Sequence, residues 1–124
     1  MKQELITKKA PGAIGPYSQG VIAGNFIFVS GQLPINPETG EMPTHIKEQT
    51  HQSLKNISAI LNESGASLDN VVKSTVYLAD MNLFAEMNEI YAQYFTSPFP
   101  ARAAFAVKEL PKQALVEIEV IAVI

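Results

Sequence analysis

Residues 71–107 read VVKSTVYLADMNLFAEMNEIYAQYFTSPFPARAAFAV and contain a strand, a helix and a second strand in close succession. Val71 to Ala79 is rich in β-branched residues in rough alternation, which predicts a strand. Asp80 or Asn82 can cap the helix that follows, and the two prolines of the SPFP segment end it. Ala103 to Val107 then predicts a strand, and a unit of this kind crosses over in the right-handed sense. The apolar face of the helix consists of Leu83, Phe84, Met87, Ile90, Tyr91, Tyr94 and Phe95.

The residues before this unit predict three further strands. Residues 4–7 form the first of them, and a loop rich in glycine and proline follows it. Val21–Ala23 and Phe26–Val29 form the second and third, and Gly24-Asn25 lies between them. Glycine at the first turn position suits a type II′ turn, in which that residue has a positive φ. These two strands are therefore predicted to pair as a hairpin.

A helix and a last strand complete the predicted elements. Apolar residues recur every three or four positions from Thr44 to about Ser64, which predicts a helix with Thr44 as its N-cap and Gly65 as its stop. Leu115 to Ile124 predicts the last strand. The order is β-β-β-α-β-α-β-β, which indicates an α+β fold with a six-stranded mixed sheet and two helices on one of its faces.

Two helices leave the other face of such a sheet bare. Yet Phe26–Val29 and Val120–Ile124 are unbroken apolar runs, which are typical of strands buried on both faces. Only 17% of the residues are charged, whereas typical soluble domains have about 25%. Because a large apolar sheet face is rarely left exposed, we expect it to be buried against other subunits.

Length and charge restrict the class of protein. The 124 residues are predicted to form one domain, 1–124. The net charge is −3, and eight of the nine basic residues are lysine, so neither nucleic acid nor an anionic membrane is an expected partner. The chain has no cysteine, which excludes disulfides and cysteine metal sites. It shows no signal peptide, and its longest apolar run has five residues, so we expect a cytoplasmic protein.

Arg102 is the only arginine, and it lies in the apolar stretch Phe99-Pro100-Ala101-Arg102-Ala103-Ala104-Phe105. An unpaired guanidinium in apolar surroundings is costly, so it must bind an anion or reach water. One interpretation is a rim arginine or the partner of a structural carboxylate. The other is a clamp for the carboxylate of a ligand, which the planar guanidinium binds bidentately. The residues alone leave both interpretations open.

Glu117 and Glu119 lie two positions apart on the last predicted strand, so they share one of its faces. Such a pair is usually a hydrated strand end. In a half-buried pocket, however, desolvation would raise the pKa of one of them and suit it to general acid or base catalysis. Arg102 and a glutamate on neighbouring strands would combine an anchor with a base.

Two weaker signals lie near the N-terminus. Tyr17 is held in a loop stiffened by glycine and proline, and Ser30-Gly31 ends a strand where a ligand could approach the backbone. Turn geometry alone would explain both. His45 and His51 are six residues apart on one helix and project to different faces, and no phosphate loop, dinucleotide fingerprint or zinc-protease motif is present. We therefore expect no metal and no cofactor.

Five motifs together resemble the reactive intermediate deaminase (Rid) family. The resemblance runs in order along the chain from about Ala10 to Val123. The motifs are IGPYSQG at 14–20, VSGQLPINPETGE at 29–41, IKEQTHQSLKNI at 46–57, PAR at 100–102 and LPKQALVEIEVIAV at 110–123.

The resemblance implies a chorismate-mutase-like fold and a homotrimer, with a central β-barrel and clefts between subunits. It also implies a 2-iminobutanoate/2-iminopropanoate deaminase, which hydrolyses reactive enamines and imines such as 2-aminoacrylate to 2-oxo acids and ammonia without a cofactor. Position by position, Arg102 resembles the family's carboxylate-binding arginine and Glu117 its water-activating glutamate. The other positions that resemble the family's cleft are Tyr17, Ser30, Gly31, Asn88 and Ala104.

The chain departs from the family after PAR, where many members continue with Ser-Cys-Val and this chain has Ala103-Ala104-Phe105. The missing thiol removes any role for a cleft cysteine, although Ala104 keeps a backbone N–H. Two other functions have been linked to members of this family. Retention of both Arg102 and Glu117 disfavours a non-catalytic 2-oxo-acid-binding, regulatory or chaperone-like module. The acidic balance, the single arginine and the lack of a suitably placed histidine disfavour an endoribonuclease.

Overall fold

The computed structural model describes residues 1–124 and has the predicted order of strands and helices. Three single 3-10 turns, at Leu68–Asn70, Met81–Leu83 and Pro111–Gln113, lie between them. Neither helix is long and apolar enough to cross a membrane. The strands are β1 (Lys2–Leu5), β2 (Gly20–Ala23), β3 (Phe26–Gln32), β4 (Val71–Leu78), β5 (Ala101–Ala106) and β6 (Val116–Val123), and the helices are α1 (Ile46–Glu63) and α2 (Phe84–Tyr91).

Two glycines form the turns that were predicted for them. Gly24 has φ +60° and is the one positive-φ residue between β2 and β3, as a type II′ turn requires. Gly65 has φ +83° and follows the end of α1. The N–H groups of Gly65 and Ala66 donate to the carbonyl oxygens of Asn62 at 3.0 Å and Leu61 at 3.1 Å. This pair of bonds is the Schellman pattern, so Gly65 ends α1 as predicted.

Both predicted helices differ from the structure at their ends. The N-cap of α1 is His45 rather than Thr44, and its side chain makes no capping hydrogen bond. The helix α2 begins at Phe84 with Leu83 as its N-cap, whereas Asp80 caps the preceding 3-10 turn by accepting the N–H of Asn82. The helix α2 ends at Tyr91 rather than near Phe95. Beyond the helix, the N–H groups of Gln93 and Tyr94 donate to carbonyl oxygens three residues back, which tightens the backbone into turns. Phe95 nevertheless stays in the core, so its apolar character reports burial rather than helix.

Two strands start two residues before the predicted position, and β3 continues past Val29 to Gln32. β1 spans Lys2–Leu5 instead of residues 4–7, because its register with β2 pairs Lys2 with Ala23 and Leu5 with Gly20. β5 begins at Ala101 instead of Ala103, because Ala101 pairs with Lys73 of β4. In both cases the first residue of the strand is set by its pairing with the neighbouring strand and not by the local sequence.

All six strands form one mixed sheet in the order β1-β2-β3-β6-β4-β5. β4 and β5 are parallel and are joined through α2, while every other neighbouring pair is antiparallel. β5 is an edge strand, and β4 separates it from β6.

Both helices pack against the same face of this sheet, as predicted. Every second residue of β6, from Val116 to Ala122, is at most 2% exposed. These side chains form one hydrophobic core with residues from both helices. The helix residues at its centre are Leu54, Ile57, Ile60 and Leu61 of α1 and Met87 of α2.

The opposite face of the sheet is uncovered in the single chain. Phe26 and Phe28 of β3 are 47% and 44% exposed, and Phe105 of β5 is 45% exposed. Phe105 stacks edge-to-face on Tyr77 of β4, with 5.6 Å between the ring centroids. The apolar runs that were expected to be buried on both faces are therefore buried on one face and exposed on the other. An exposed apolar area of this kind marks an interaction surface.

Two buried amides of α1 hold the ends of the strands that approach the candidate site. Gln49 accepts the backbone N–H of Leu115, immediately before β6, at 2.8 Å. Asn56 donates to the carbonyl oxygens of Leu33 and Ile35, just after β3, at 3.1 and 3.0 Å. Buried amides with satisfied partners restrict backbone movement. The helix thus fixes where β3 ends and where β6 begins.

Candidate active site

Arg102 lies on β5 and extends over the helix-covered face of the sheet. It pairs in register with Ser74 of β4, which is buried. Its Nη1 donates to Oδ1 of Asn88 at 2.6 Å. Its guanidinium carbon lies 4.8 Å from the centroid of the Tyr91 ring and 5.5 Å from that of Phe84. Arg102 therefore rests on a platform of aromatic rings, whose faces attract a cation.

No carboxylate of the chain pairs with Arg102. The one ion pair in the structure joins Lys47 to Glu89 at 3.1 Å. Of the N–H donors of the Arg102 guanidinium, only one has a protein partner, the oxygen of Asn88. Within the single chain, Arg102 is therefore not the partner of a structural carboxylate, while its exposed guanidinium agrees with a rim position. A guanidinium with most of its donors free suits bidentate binding of an external carboxylate.

An open cavity of about 430 Å³ lies beside this guanidinium, a size within the range for small-ligand sites. It has one charged group, one amide and a largely apolar wall. The lining residues are Asn88, Tyr91, Ala92, Phe99, Pro100 and Arg102.

Ala104 lies two residues beyond Arg102 on the same face of β5. The N–H of Val107 donates to the carbonyl oxygen of Leu78 in β4 at 2.9 Å. Because successive N–H groups of a strand alternate in direction, the N–H of Ala104 points away from β4 to the free edge. The site therefore combines a side-chain donor and a backbone donor near one strand edge.

Glu117 lies on β6 and projects from the uncovered face, where it pairs in register with Tyr77. Its side chain is half-buried. Burial raises the pKa of Glu117, and the nearby charge of Glu119 raises it further. Glu117 is therefore half-buried and has a raised pKa, which are the two features expected of a general acid or base.

Gly31 leaves the space that this carboxyl occupies. The register of β3 with β6 shifts between Val29 and Gln32, which makes a bulge at Ser30 and Gly31. A Cβ atom added to Gly31 would overlap Oε2 of Glu117 and lie 3.0 Å from its Cδ. Any side chain at this position would displace the carboxylate, so glycine leaves Glu117 free to occupy the position seen in this structure.

Ser30 and Tyr17 lie on the same side as Gly31. The hydroxyl of Ser30 donates to the carbonyl oxygen of Ser18, and its N–H donates to that of Gln19 at 2.9 Å. These bonds tie the bulge to the loop that carries Tyr17, which is 53% exposed. Tyr17 and Gly31 line a second open cavity, of about 380 Å³.

The predicted residues therefore form two groups, one on each side of the sheet. Arg102, Asn88 and Ala104 lie on the helix side at β5. Glu117 lies with Gly31 on the uncovered side. Arg102 and Glu117 do not lie on neighbouring strands, because β4 lies between β5 and β6, and their side chains project from opposite faces of the sheet.

Phe84 and Tyr91 were assigned to the apolar face of α2, and their contact with Arg102 was not predicted. Asn88 lies four residues after Phe84 and three before Tyr91, so all three share one helix face. A polar residue between two aromatic residues on an apolar face is the signal that could have identified this contact. The identity of its partner depends on the pairing of β5 with β4 and could not have been read from α2.

The chain is similar to proteins of one family along nearly its whole length. The Endoribonuclease L-PSP family matches residues 7–124. A RutC family protein of Pyrococcus abyssi (strain GE5 / Orsay) is 58% identical over 122 residues, which cover 98% of this chain and 96% of that protein. A 2-iminobutanoate/2-iminopropanoate deaminase of Escherichia coli (strain K12) is 47% identical over 126 aligned residues, covering 99% of this chain and 98% of that one. The crystal structure of Escherichia coli TdcF with bound serine has a TM-score of 0.94 at 44% identity and covers 98% of both chains. This chain therefore belongs to the Endoribonuclease L-PSP family, which includes the RutC and reactive intermediate deaminase (Rid) proteins, as its motifs predicted.

Proposed function

We propose that this protein hydrolyses reactive 2-imino and 2-enamine acids, such as 2-iminobutanoate and 2-aminoacrylate, to 2-oxo acids and ammonia. One observation carries the proposal: the only arginine of the chain has no carboxylate partner and faces an open cavity. A carboxylate is one of the groups that the planar guanidinium binds bidentately. Membership of a family with a named 2-iminobutanoate/2-iminopropanoate deaminase supports the same reaction.

The substrate carboxylate binds to the free N–H donors of Arg102 and to the backbone N–H of Ala104. Asn88 holds the guanidinium in place through its 2.6 Å hydrogen bond. Phe99 and Pro100 supply an apolar wall for a short side chain. The bound serine in the TdcF structure supports a small ligand with a carboxylate, although it is a ligand of that protein.

Glu117 acts on a water molecule in this proposal. Ionised Glu117 takes a proton from the water as the water oxygen forms a bond to C2 of the imine. Glu117 passes this proton to the imine nitrogen, which gives a carbinolamine and leaves Glu117 ionised again. Glu117 then passes the hydroxyl proton to this nitrogen while the C2–N bond breaks, so that ammonia leaves and C2 becomes a carbonyl. A raised pKa suits a group that both accepts and returns a proton. Because the imine also hydrolyses unaided, orientation of water and C2 contributes most of the acceleration.

Two copies of the chain must contribute to one such site. Arg102 and Glu117 of the same chain project from opposite faces of the sheet, so one small substrate cannot touch both. The proposal therefore combines Arg102, Asn88 and Ala104 of one subunit with Tyr17, Ser30, Gly31 and Glu117 of the next. A homotrimer with a central β-barrel would also bury the exposed phenylalanines of the uncovered face.

The reaction can be tested with a threonine dehydratase as the source of 2-iminobutanoate. We expect 2-oxobutanoate to form faster with this protein than by spontaneous hydrolysis at the same dehydratase rate. If the protein binds 2-oxobutanoate but accelerates hydrolysis of no imino acid, the non-catalytic binding module becomes the better description. The net charge of −3 and the single arginine give no support to RNA as the substrate.

The raised pKa of Glu117 predicts a pH-dependent effect on stability. Folding disfavours the ionised form, so the stability linked to this group is full below its unfolded pKa and is lost as the pH rises through the folded pKa. Glutamine resembles the protonated carboxyl. Glu117→Gln should therefore raise the urea midpoint at about pH 7.5 and leave it unchanged at about pH 4.

The urea midpoints at the two pH values are measured at the same protein concentration, because subunit assembly contributes to the midpoint. Glu109→Gln, which removes an exposed carboxylate, controls for the change in net charge. A lower midpoint for Glu117→Gln at the higher pH would contradict the prediction and would indicate that a cation compensates Glu117 in the assembled protein.

A further inference from the structure

Tyr91 is buried and contacts the side chains of Ser74 and Phe95, although it lies directly beside the exposed Arg102. Its side chain is 5% exposed, and its hydroxyl lies 2.6 Å from the hydroxyl of Ser74, which is 1% exposed. Its ring also stacks on Phe95, with 4.6 Å between the centroids. Burial raises the pKa of Tyr91, so its hydroxyl stays protonated near neutral pH. The ring therefore has one fixed position.

This fixed ring lies under the guanidinium of Arg102. The guanidinium carbon is 4.8 Å from the ring centroid, which allows a cation–π contact. Ser74 pairs in register with Arg102, so the residue that anchors the Tyr91 hydroxyl lies next to the backbone of the arginine itself. Stacking limits the tilt of the guanidinium plane, and the bond to Asn88 limits rotation within that plane.

We propose that Tyr91, anchored by Ser74, is a positioning residue that holds Arg102 in the orientation in which it receives the substrate carboxylate. This inference rests on the proposed function, because it assigns Arg102 the role of carboxylate clamp. An exposed arginine side chain otherwise samples many rotamers, and ordering it would weaken binding. A guanidinium that is oriented before the ligand arrives avoids that loss.

The position of Arg102 can be measured without any assay of activity. Because the chain has one arginine, labelling with ¹⁵N-arginine gives a single side-chain Nε–Hε signal. Tyr91→Leu removes the ring and should shift this signal and broaden it as the guanidinium becomes mobile. Tyr91→Phe keeps the ring and removes only the hydroxyl, so it should produce a smaller change. Phe95→Leu is the matched control, because Phe95 is buried against Tyr91 and makes no cation–π contact with Arg102.

Ligand binding tests the consequence. Tyr91→Leu should weaken binding of 2-oxobutanoate about tenfold, the order expected when a cation–π contact and its orientation are lost. Phe95→Leu should bind within about twofold of the wild type, and Tyr91→Phe should fall between the two. In the deaminase assay the loss should appear mainly as a raised KM, since the water and Glu117 are untouched.

The proposal is overturned if Tyr91→Leu folds and leaves both the Arg102 signal and the affinity at wild-type values. It is also overturned if Phe95→Leu has the same effect as Tyr91→Leu, because loosened packing would then explain both. Should Tyr91→Leu fail to fold, Tyr91→Phe and Ser74→Ala must still shift the Arg102 signal. A wild-type protein with no deaminase activity contradicts the proposed function, whereas the signal of Arg102 still reports whether Tyr91 positions it.

Discussion

Arg102→Ala and Glu117→Gln should each be inactive alone, and assemblies that contain both variants should regain activity. Arg102→Ala leaves the substrate carboxylate without its charged partner, which should lower kcat/KM by about a hundred- to a thousand-fold. Glu117→Gln removes the proton acceptor and should lower kcat by about a hundred-fold or more. Both losses are limited by the spontaneous hydrolysis of the imine.

Recovery in mixed assemblies follows from the positions of the two residues. They project from opposite faces of one chain, so a complete site takes Arg102 from one copy and Glu117 from another. In an equal mixture of the two variant chains, about one site in four should contain both native residues, as in any ring of head-to-tail contacts. The mixture should therefore show about a quarter of wild-type activity.

The measurement uses chains that are unfolded together in urea and refolded together, so that the subunits mix. The same variants refolded separately and then combined give the control, which should stay inactive while subunit exchange is slow. The double variant Arg102→Ala with Glu117→Gln, refolded with wild type, shows whether mixing itself harms activity. If co-refolded single variants stay inactive while wild-type mixtures recover, the site lies within one chain and the shared site is wrong.

Gly31→Ala should lower activity about a hundred-fold, although it adds a single methyl group. The added Cβ would overlap Oε2 of Glu117, and the carboxylate must rotate away to make room. A displacement of about 1 Å of a catalytic group costs on the order of a hundred-fold in rate. The carboxylate is the far end of a flexible side chain, so the fold should remain intact.

Gly12→Ala is the matched control for this prediction. A Cβ added at Gly12 has no atom within 4 Å, and its backbone has no positive φ that would strain alanine. We expect wild-type activity for Gly12→Ala and equal circular dichroism spectra for both variants. If folded Gly31→Ala keeps full activity, Glu117 does not act from the position seen in this structure.

The sequence motifs named the candidate residues, but the predicted strands did not show how these residues are arranged in the sheet. Arg102, Glu117, Ser30 and Gly31 lie near the ends of strands and Tyr17 lies in a loop, as expected from their local sequence. Ala104 lies within β5, and Asn88 lies on the apolar face of α2. The sequence left open whether Arg102 and Glu117 lie on neighbouring strands. The last strand inserts between β3 and β4, and long-range pairing of this kind leaves no local mark in the sequence.

Side-chain periodicity could predict which face each residue occupies only within its own element. It placed Glu117 and Glu119 together, and it placed the aromatic residues of α2 on one apolar face. It could not show that one of these rings lies under Arg102, because that contact depends on the register of β5 against β4. It also could not show the overlap of Gly31 with Glu117, which arises from a bulge between β3 and β6.

By itself, the sequence determined the order of strands and helices, the covered and uncovered faces of the sheet, and the isolation of one arginine among apolar residues. These features follow from local periodicity and composition, which act over a few neighbouring residues. Only the tertiary structure decided that Arg102 and Glu117 lie on opposite sides of the sheet, that Tyr91 supports the guanidinium, and that Gly31 makes room for the carboxylate. Those relations depend on strand order and register, which are set by the free energy of packing the whole chain.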